Sequence, residues 1–233
     1  MLLRNQMLQR WLGGTIFERF GIDLVARMEM MGLALHKDAA RLKQLRQVRR
    51  QRASLVTSHE MYMIQSLAMG LRALPGDYVE VGIYQGCTAK VICDAKGDKT
   101  LHLCDTFEGL PEPKGDDAKV EKKGSFACGL ESIQSYLAAI PNIKYHPGIC
   151  PQSVAGVLDD KQFALVHLDV DLYDSTLHCL EYFWPRIVPG GVVLSHDYSI
   201  LAGVRRAFTE FTAHTRERVI ELPTTQCMLI KAA

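Results

Sequence analysis

Three carboxylates lie close together in the segment HLDVDLYDST: Asp169, Asp171 and Asp174. They follow the apolar run 163–166, which predicts a buried strand. Because burying unpaired anions is unfavourable, a buried strand that ends in three of them indicates a site that uses them. Asp174 stands where the N-cap of the next helix is expected, which leaves Asp169 and Asp171 for chemistry.

A second polar pair, His196 and Asp197, follows the apolar strand predicted at Val192–Ser195. In a doubly wound α/β sheet, the carboxyl ends of neighbouring strands open on the same crevice. Asp169 is therefore expected near His196 and Asp197, and carboxylates that converge from separate strands are typical of a divalent-cation site. The structural alternative is that Asp169 caps a helix and Asp197 solvates a strand end.

A glycine pair follows an earlier strand, in the stretch EVGIYQG that begins at Glu80. Gly82 and Gly86 permit a tight turn, and the helix that follows offers free N–H groups to a ligand. Asp105 ends the next strand, 23 residues after Gly82, where an acidic side chain suits the two hydroxyls of a ribose. The spacing is not G-x-G-x-x-G, so a pyrophosphate is not indicated.

The elements that must position these residues alternate along the chain. Strands are predicted at 78–81, 100–104, 143–146, 164–168, 192–195, 218–222 and 226–231. Helices are predicted at 60–69, 87–94, 129–140, 154–158, 174–187 and 202–214. This alternation is typical of a doubly wound, Rossmann-like α/β fold with a mostly parallel sheet.

The N-terminal segment 1–56 is predicted to be a helical, basic arm that precedes the main domain at 57–233. Residues 1–52 contain eleven Lys or Arg against four Asp or Glu. We expect the arm to pack on the domain or on a second copy of the chain, as a homo-oligomer. It could also form a lid with the mobile polar loop predicted at 108–124, or attract an acidic surface.

The composition argues against several classes of protein. The net charge is only +1 and no basic-aromatic patch is present, so no nucleic-acid partner is expected. The chain has no run of eighteen apolar residues and no signal-peptide pattern, so neither a membrane span nor secretion is expected. Seven cysteines without a C-x-x-C pair predict reduced thiols and a cytoplasmic location.

Four segments together resemble the macrocin O-methyltransferase family of class I S-adenosylmethionine-dependent methyltransferases: DTFEGLP (105–111), HLDVDLYDST (167–176), PGG (189–191) and SHDY (195–198). The resemblance covers roughly residues 56–230. It implies S-adenosylmethionine as the cofactor and methylation of a hydroxyl on a sugar or glycosylated small molecule. The enzymes of this family act on sugars of macrolide and aminocoumarin antibiotics, which implies a role in natural product biosynthesis.

The resemblance also assigns residues to the cofactor. It implies that eight residues contact S-adenosylmethionine from its methionine end to its adenine: Glu80, Gly82 and Gly86, then Thr57, Asp105, Thr106 and Phe107, then Ser125.

The resemblance further implies a magnesium ion, held by an aspartate after the fourth strand and an Asp-Asp pair after the fifth. Asp169 and Asp197 match this pattern, but His196 replaces the first aspartate of the pair. Imidazole suits manganese, iron, nickel or zinc better than magnesium. Three arrangements stay open: His196 ligates a softer metal, it stands aside while carboxylates and substrate oxygens hold magnesium, or it acts as a base in a site without an ion.

Asp171 is the candidate general base for this reaction. A hydroxyl must lose its proton as its bond to the methyl group forms, because a neutral hydroxyl is a poor nucleophile. On an extended strand, residues 169 and 171 point to the same face, so both carboxylates are expected in one cleft. Tyr173 is a weaker candidate, and His167 is expected to be a buried structural histidine.

Two other functions remain open on the sequence. A nicotinamide-dependent oxidoreductase would use the same sheet. This chain, however, lacks the G-x-G-x-x-G motif of such enzymes, and the strand-end carboxylates would have no role in that reaction. The second alternative is a non-catalytic module that kept the cofactor pocket. His196 supports this alternative, because it departs from the ligand pattern of the family. Binding of S-adenosylmethionine rather than NAD separates the first from a methyltransferase.

Overall fold

The computed structural model describes residues 16–232 of the chain. In this range the α-helices are α1 Ile16–Ala34, α2 Ala39–Gln51, α3 Ser58–Gly70, α4 Cys87–Ala95, α5 Leu130–Leu137, α6 Tyr173–Phe183 and α7 Ala202–Thr212. The strands are β1 Asp77–Val81, β2 Leu101–Asp105, β3 Ile143–Pro147, β4 Phe163–Leu168, β5 Ile187–Ser195, β6 Ile220–Glu221 and β7 Cys227–Ile230. None of these helices is long and apolar enough to cross a membrane.

The strands form one sheet in the order β3-β2-β1-β4-β5-β7-β6. The first five strands of the chain pair in parallel, and β7 runs antiparallel to both β5 and β6. The chain winds outward from β1 to β3 and then returns to place β4 on the other side of β1. The carboxyl ends of β1 and β4 therefore flank a topological switch point, where ligands bind in such sheets. The predicted fold class is confirmed.

Helices cover both faces of the sheet. Tyr78 and Leu165 pack into a core formed with α1 to α5, whereas Val79 and Val166 pack into a second core with α6 and α7. Neighbouring residues of a strand point to opposite faces, so a strand covered on both sides is mostly apolar; the buried polar exceptions are Glu80 in β1 and His167 in β4. This explains why the central strands appear in the sequence as continuous apolar runs.

The segment 16–56 packs on the α1-to-α5 face of the sheet. The predicted apolar face of α2 is buried through Leu42, Leu45 and Val48. Much of the basic charge here is engaged in contacts within the molecule. The guanidinium of Arg41 donates to the side chains of Gln65, Tyr62 and Ser66 on α3, at 2.9, 2.8 and 2.7 Å. Arg52 donates to the carbonyl oxygen of Ser132 at 2.8 Å.

Two predicted helices differ from the structure. Residues 154–158 form successive turns rather than a helix, because Gly156 adopts φ 78 and its N–H bonds the carboxylate of Asp159. The helix predicted at 174–187 ends at Phe183, and a short 3-10 turn leads to β5. The Pro-Gly-Gly turn predicted at 189–191 lies inside β5, where the pairing with β4 shifts register.

Candidate active site

A cavity of about 560 Å³ opens at the carboxyl ends of β1, β2, β4 and β5. Nine of the twelve predicted site residues line it: Thr57, Gly82, Asp105, Thr106, Ser125, Asp169, Asp171, His196 and Asp197. The remaining three, Glu80, Gly86 and Phe107, lie behind this lining. The structure therefore brings the predicted nucleoside residues and the predicted metal residues to a single place.

Gly82 allows the ends of β1 and β4 to meet. It adopts φ 84, and a Cβ atom at this position would lie 1.8 Å from the carbonyl oxygen of Asp169. The N–H of Asp169 in turn donates to the carbonyl oxygen of Val81 at 2.9 Å. Only a residue without a side chain fits this contact, so Gly82 positions the backbone that carries Asp169, the first of the predicted metal ligands.

Gly86 begins α4 and shapes the loop between β1 and that helix. It adopts φ 76 as the N-cap residue and supplies no side-chain cap. The N–H groups of the first helical turn therefore have no side-chain acceptor from the N-cap, and Cys87 and Thr88 of this turn line the cavity. An uncapped helix N-terminus favours a negatively charged group.

Asp105 organises the neighbouring loops as well as facing the cavity. Its Oδ2 atom accepts a hydrogen bond from the N–H of Ile83 at 2.6 Å, and its Oδ1 atom accepts one from the N–H of Phe107 at 2.7 Å. Thr106 donates to the carbonyl oxygen of Gly109 at 2.6 Å. A carboxylate has about four lone-pair sites, so Asp105 keeps acceptor capacity for a ligand. Phe107 itself turns into the core.

Glu80 and His167 form a fully buried pair beneath the cavity. The Nδ1 atom of His167 lies 3.0 Å from the Oε1 atom of Glu80. Burial raises the pKa of Glu80 to about 8 and lowers the pKa of His167 to about 3. Both shifts favour the uncharged forms, so the two groups share a hydrogen bond rather than an ion pair. His167 is the buried histidine that the sequence predicts, although its Nε2 atom has no hydrogen-bond partner.

Thr57 begins α3 through a reciprocal capping box. Its side chain accepts from the N–H of Glu60, and the Oε2 atom of Glu60 accepts from the N–H of Thr57 at 2.8 Å. The other oxygen of Glu60 accepts from the hydroxyl of Thr225 at 2.6 Å. Burial acts to raise the pKa of Glu60, but the nearby His196 and these hydrogen bonds outweigh it and hold the pKa below its usual value.

Asp169, His196 and Asp197 form the cluster that the sequence predicts. One ligand atom from each lies within 4.8 Å of the other two. The N–H of His196 donates to the carbonyl oxygen of Leu168 at 2.9 Å, which joins the ends of β4 and β5. Two carboxylates and an imidazole are a suitable ligand set for a divalent transition-metal ion.

The carboxyl groups of the cluster are held in unfavourable surroundings. Burial and the neighbouring Asp197 and Asp169 raise the pKa of Asp171 well above its usual range. Burial and Asp169 likewise raise the pKa of Asp197 to about 7, and the carboxyls of Asp171 and Asp197 share a hydrogen bond. Like charges at this spacing are stable only with a proton or a cation between them.

His196 is held by a residue that the sequence analysis missed. Its Nε2 atom lies 2.9 Å from the side-chain amide nitrogen of the buried Gln226. With the amide nitrogen donating to Nε2, a neutral ring carries its proton on Nδ1. Nδ1 is free to bind a cation when the amide of Gln226 is turned so that its oxygen accepts from Nε2–H. Burial lowers the pKa of His196, but Asp169, Glu60 and Asp197 outweigh this and raise it. Gln226 carries no charge and lies at the end of a strand, so no motif indicates it.

Asp171 reaches the cavity by a different geometry from the one predicted. β4 ends at Leu168, so the alternation of an extended strand does not continue to residue 171. Asp171 instead adopts φ 58, in the left-handed region, and so does Asp197. Non-glycine residues in this conformation are uncommon and concentrate at functional sites. Asp169 and Asp171 line the same cavity because of this turn.

The prediction that Asp174 caps α6 is wrong. The N-cap residue is Leu172, and the carboxylate that accepts the N–H of Tyr173, at 2.7 Å, belongs to Asp117. Asp117 is buried within the 108–124 loop, and a Cβ atom at Gly203 would lie 2.1 Å from it. Asp174 points outward and pairs with Lys114 at 3.3 Å. Because the capping residue comes from a distant loop, the sequence around the start of the helix does not indicate it.

The mouth of the cavity is formed by α1 and by the 108–124 loop. Ile22 and Val25 of α1 line it together with Leu110 and Pro111 of the loop. Arg19 of α1 donates to the hydroxyl of Tyr84 at 2.7 Å, which joins α1 to the loop after β1. The ring of Tyr84 packs edge-on against Phe126, beside Ser125, with ring centroids 5.8 Å apart. Phe126 follows Ser125 in the segment where the family resemblance implies contact with the adenine. Tyr84 was not predicted, because its role depends on long-range packing.

The sequence of this chain is similar to those of known O-methyltransferases. The profile of the macrocin O-methyltransferase (TylF) family matches residues 28–226. A curated relative from Streptomyces olivaceus, 8-demethyl-8-(2,3-dimethoxy-alpha-L-rhamnosyl)-tetracenomycin-C 4'-O-methyltransferase, is 32% identical over 143 residues, 54% of each chain. The chain spans between 54% and 61% of the length of the curated relatives it matches.

Two solved structures share the fold. The O-methyltransferase NovP superposes with a TM-score of 0.67 at 20% identity, covering 77% of this chain and 82% of that one. TomG from Streptomyces achromogenes, solved in complex with SAM, superposes with a TM-score of 0.61 at 17% identity, covering 91% and 99%. The sheet is thus that of the class I methyltransferases. With a family profile that spans most of its length, the chain belongs to the macrocin O-methyltransferase (TylF) family.

Proposed function

We propose that this chain transfers a methyl group from S-adenosylmethionine to a hydroxyl of a sugar or glycosylated small molecule, in the cytoplasm and in natural product biosynthesis. The observation that carries the proposal is the single cavity, in which a nucleoside-type loop meets a cluster of buried carboxylates. The S. olivaceus relative is named for the 4'-hydroxyl of a rhamnosyl group, which supports the acceptor class.

The cavity residues fit S-adenosylmethionine. The uncapped N-terminus of α4 suits the carboxylate of its methionine part, and Asp105 keeps lone pairs for the ribose hydroxyls. Tyr84 and Phe126 offer apolar surface beside Ser125, where adenine is expected. The cofactor supplies an electrophilic methyl group on a sulfonium centre. The oxidoreductase alternative gives no role to the buried carboxylates across the cavity.

The carboxylate cluster fits a divalent ion. Asp169, His196 and Asp197 would hold it, and burial together with the neighbouring Asp169 is what raises the pKa of Asp197 to about 7 in the absence of a cation. A bound ion would orient two neighbouring oxygens of the acceptor and make its hydroxyl more acidic. The histidine favours manganese or a softer metal over magnesium.

Asp171 is the residue that would take the proton. It stands beside the cluster and lines the cavity, and a cation held by the cluster would keep its carboxylate ionised and able to accept a proton. The bond between oxygen and methyl forms as the bond between sulfur and methyl breaks, and the hydroxyl proton passes to a carboxylate oxygen of Asp171. Val25, Leu110 and Pro111 surround the acceptor and exclude water from the reacting atoms.

Calorimetry of cofactor binding tests the proposal. We expect S-adenosylmethionine and S-adenosylhomocysteine to bind, and NAD not to bind, with and without manganese. Asp105→Asn should weaken the binding of both ligands by roughly 10- to 100-fold, because hydrogen bonds to a charged group contribute about this much to affinity. Asp98→Asn, at an exposed turn, is the matched control and should leave binding unchanged. Absence of S-adenosylmethionine binding under all conditions would overturn the proposal.

A further inference from the structure

Five large apolar side chains form a solvent-facing stripe along α1 and the first residue of the turn that follows it. They are Phe20, Leu24, Met28, Met31 and Leu35, with exposed fractions of 72%, 52%, 61%, 66% and 87%. Their spacing of four, four, three and four residues keeps them within an arc of about 80° on a helix of 100° per residue. Other exposed large apolar residues of the described chain, such as Met69, Val157 and Ile230, are scattered.

The helix that carries this α1 stripe is fixed to the body of the molecule. Its opposite face is buried through Ala26, Met30 and Leu33. Asp23 and Arg27 pair at 2.8 Å along one edge of the stripe, where the exposed Arg27 lies about 20° from Phe20 around the helix. A contiguous apolar stripe on a folded surface is unusual for a monomer, and charge depletion with enriched Phe and Met is typical of the centre of an interface.

We propose that the α1 stripe is the interface through which two copies of this chain pair, with their α1 helices antiparallel. The spacing of the stripe is nearly the same when read in either direction. A two-fold axis between positions 27 and 28 places Phe20 level with Leu35 of the other copy and Leu24 level with its Met31. Met28 is level with Arg27 of the other copy and lies one residue from its own counterpart. An isologous interface requires such self-complementarity, which a surface for an unrelated partner does not.

Two glycines beside the stripe allow the helices to approach closely. Gly21 and Gly32 lie on the same flank of α1, and a Cβ atom at either would have no neighbour within 4 Å. The distance between packed helices depends on the side chains at the contact. This flank, which has no side chains at Gly21 and Gly32, therefore permits a short interhelical distance.

The interface would border the cavity of each copy. Gly21, Ile22 and Val25 of α1 line the cavity, and Gly21 lies about 20° from Met28 around the helix, at the edge of the stripe. Pairing would therefore hold in place the helix that forms one wall of the site. The pairing itself does not depend on the proposed reaction, and neither experiment below involves a ligand.

Sedimentation equilibrium of the full chain tests the pairing. We expect the wild type to be a dimer at micromolar concentration. Leu24→Glu together with Met31→Glu should raise the dissociation constant by at least ~100-fold, because like charges then oppose each other across the interface. Val157→Glu is the matched control at an exposed apolar residue elsewhere and should remain dimeric. A monomeric wild type, or a dimer that survives the double change, overturns the proposal.

Disulfide cross-linking tests the antiparallel arrangement. Met28→Cys lies beside the two-fold axis and should form a covalent dimer on mild oxidation. Leu35→Cys should not, because its counterpart lies at the far end of the partner helix. Cross-linking of both variants indicates parallel helices and overturns the arrangement. Cross-linking of neither indicates that another occupant covers the stripe, such as residues 1–15 of the same chain, and overturns the pairing. The wild type, whose cysteines are mostly buried, is the control.

Discussion

Single residues decide how the negative charge in the cavity is neutralised. Asp169, Asp171 and Asp197 crowd together, and the pKa values of the last two are raised. His196 stands among them with Gln226 fixing one side of its ring. The motif analysis identified the three carboxylates and the histidine because they follow apolar strands, but it could not identify Gln226, which lies near His196 only in the folded chain.

Replacing the proposed base tests its role. Asp171→Asn should lower kcat by roughly 10²- to 10⁴-fold, the usual contribution of general-base catalysis, and leave the affinity for S-adenosylmethionine nearly unchanged. Single-turnover methylation assays with calorimetry measure the two effects separately. Asp174→Asn, three residues later and outward-facing, should retain the wild-type rate. A wild-type rate in Asp171→Asn would remove the assignment.

Replacing the histidine tests the ligand set. His196→Asp creates three carboxylate ligands and should lower the preference for manganese over magnesium by ~10-fold or more, because magnesium favours oxygen ligands. Titration calorimetry with each ion gives the ratio of the two affinities. The same change at His178, which is exposed on α6, should leave the ratio as in the wild type. An unchanged ratio in His196→Asp shows that the imidazole is no ligand.

At the scale of elements, the site depends on strand ends that meet at backbone distance. Gly82 brings the ends of β1 and β4 together, and the N–H of His196 joins β4 to β5. The loops that follow then bend through left-handed residues, among them Asp171 and Asp197. The sheet thus fixes the backbone positions at which the loops carrying the carboxylates start, and the turns in these loops fix the directions of the side chains.

Adding one methyl group at Gly82 should disrupt this junction. Gly82→Ala places a Cβ atom 1.8 Å from the carbonyl oxygen of Asp169 and should lower the free energy of unfolding by roughly 3 kcal/mol or more. Gly156→Ala is the matched control, because its φ is also positive but its Cβ meets no neighbour. It should cost only about 1–2 kcal/mol of conformational strain. Urea unfolding measures both, and equal losses would show that the contact is unimportant.

Elements indicated by the pattern of their own residues were predicted, and features fixed by contacts with distant residues were not. Apolar runs bounded by turn residues gave strands close to their observed positions, because burial on both faces requires such runs. The start of α6 was misassigned because its capping carboxylate comes from Asp117, 56 residues earlier. The turns at 154–158 escaped because Gly156 overrides the helical pattern around it.

At the scale of the whole molecule, the buried carboxyls make stability depend on pH. The pKa of Asp197 rises from its usual value to about 7 on folding, so the folded chain keeps a proton that the unfolded chain loses. The contribution of this group to stability is present at low pH and declines as the pH rises towards 7. A divalent cation binds the ionised carboxylates and should reverse this loss.

Thermal unfolding with and without a cation tests this linkage. Manganese should raise the Tm more at about pH 8 than at about pH 6, because protons compete for the same oxygens at the lower value. Removing the metal with a chelator should abolish the difference. Asp197→Asn should be more stable than the metal-free wild type at the higher pH and respond little to manganese. An equal manganese effect at both pH values would contradict the linkage.

The cavity draws its wall from both ends of the described chain, which has a consequence for synthesis. Gly21 and Thr225 line the same cavity, and Glu60 bonds Thr225 across 165 residues. Domains begin to fold while the chain is still emerging from the ribosome. This pocket, however, is complete only after the hairpin of β6 and β7 has emerged and docked. A nascent chain must therefore reach this point unaided, because no ligand that requires the complete pocket can stabilise it earlier.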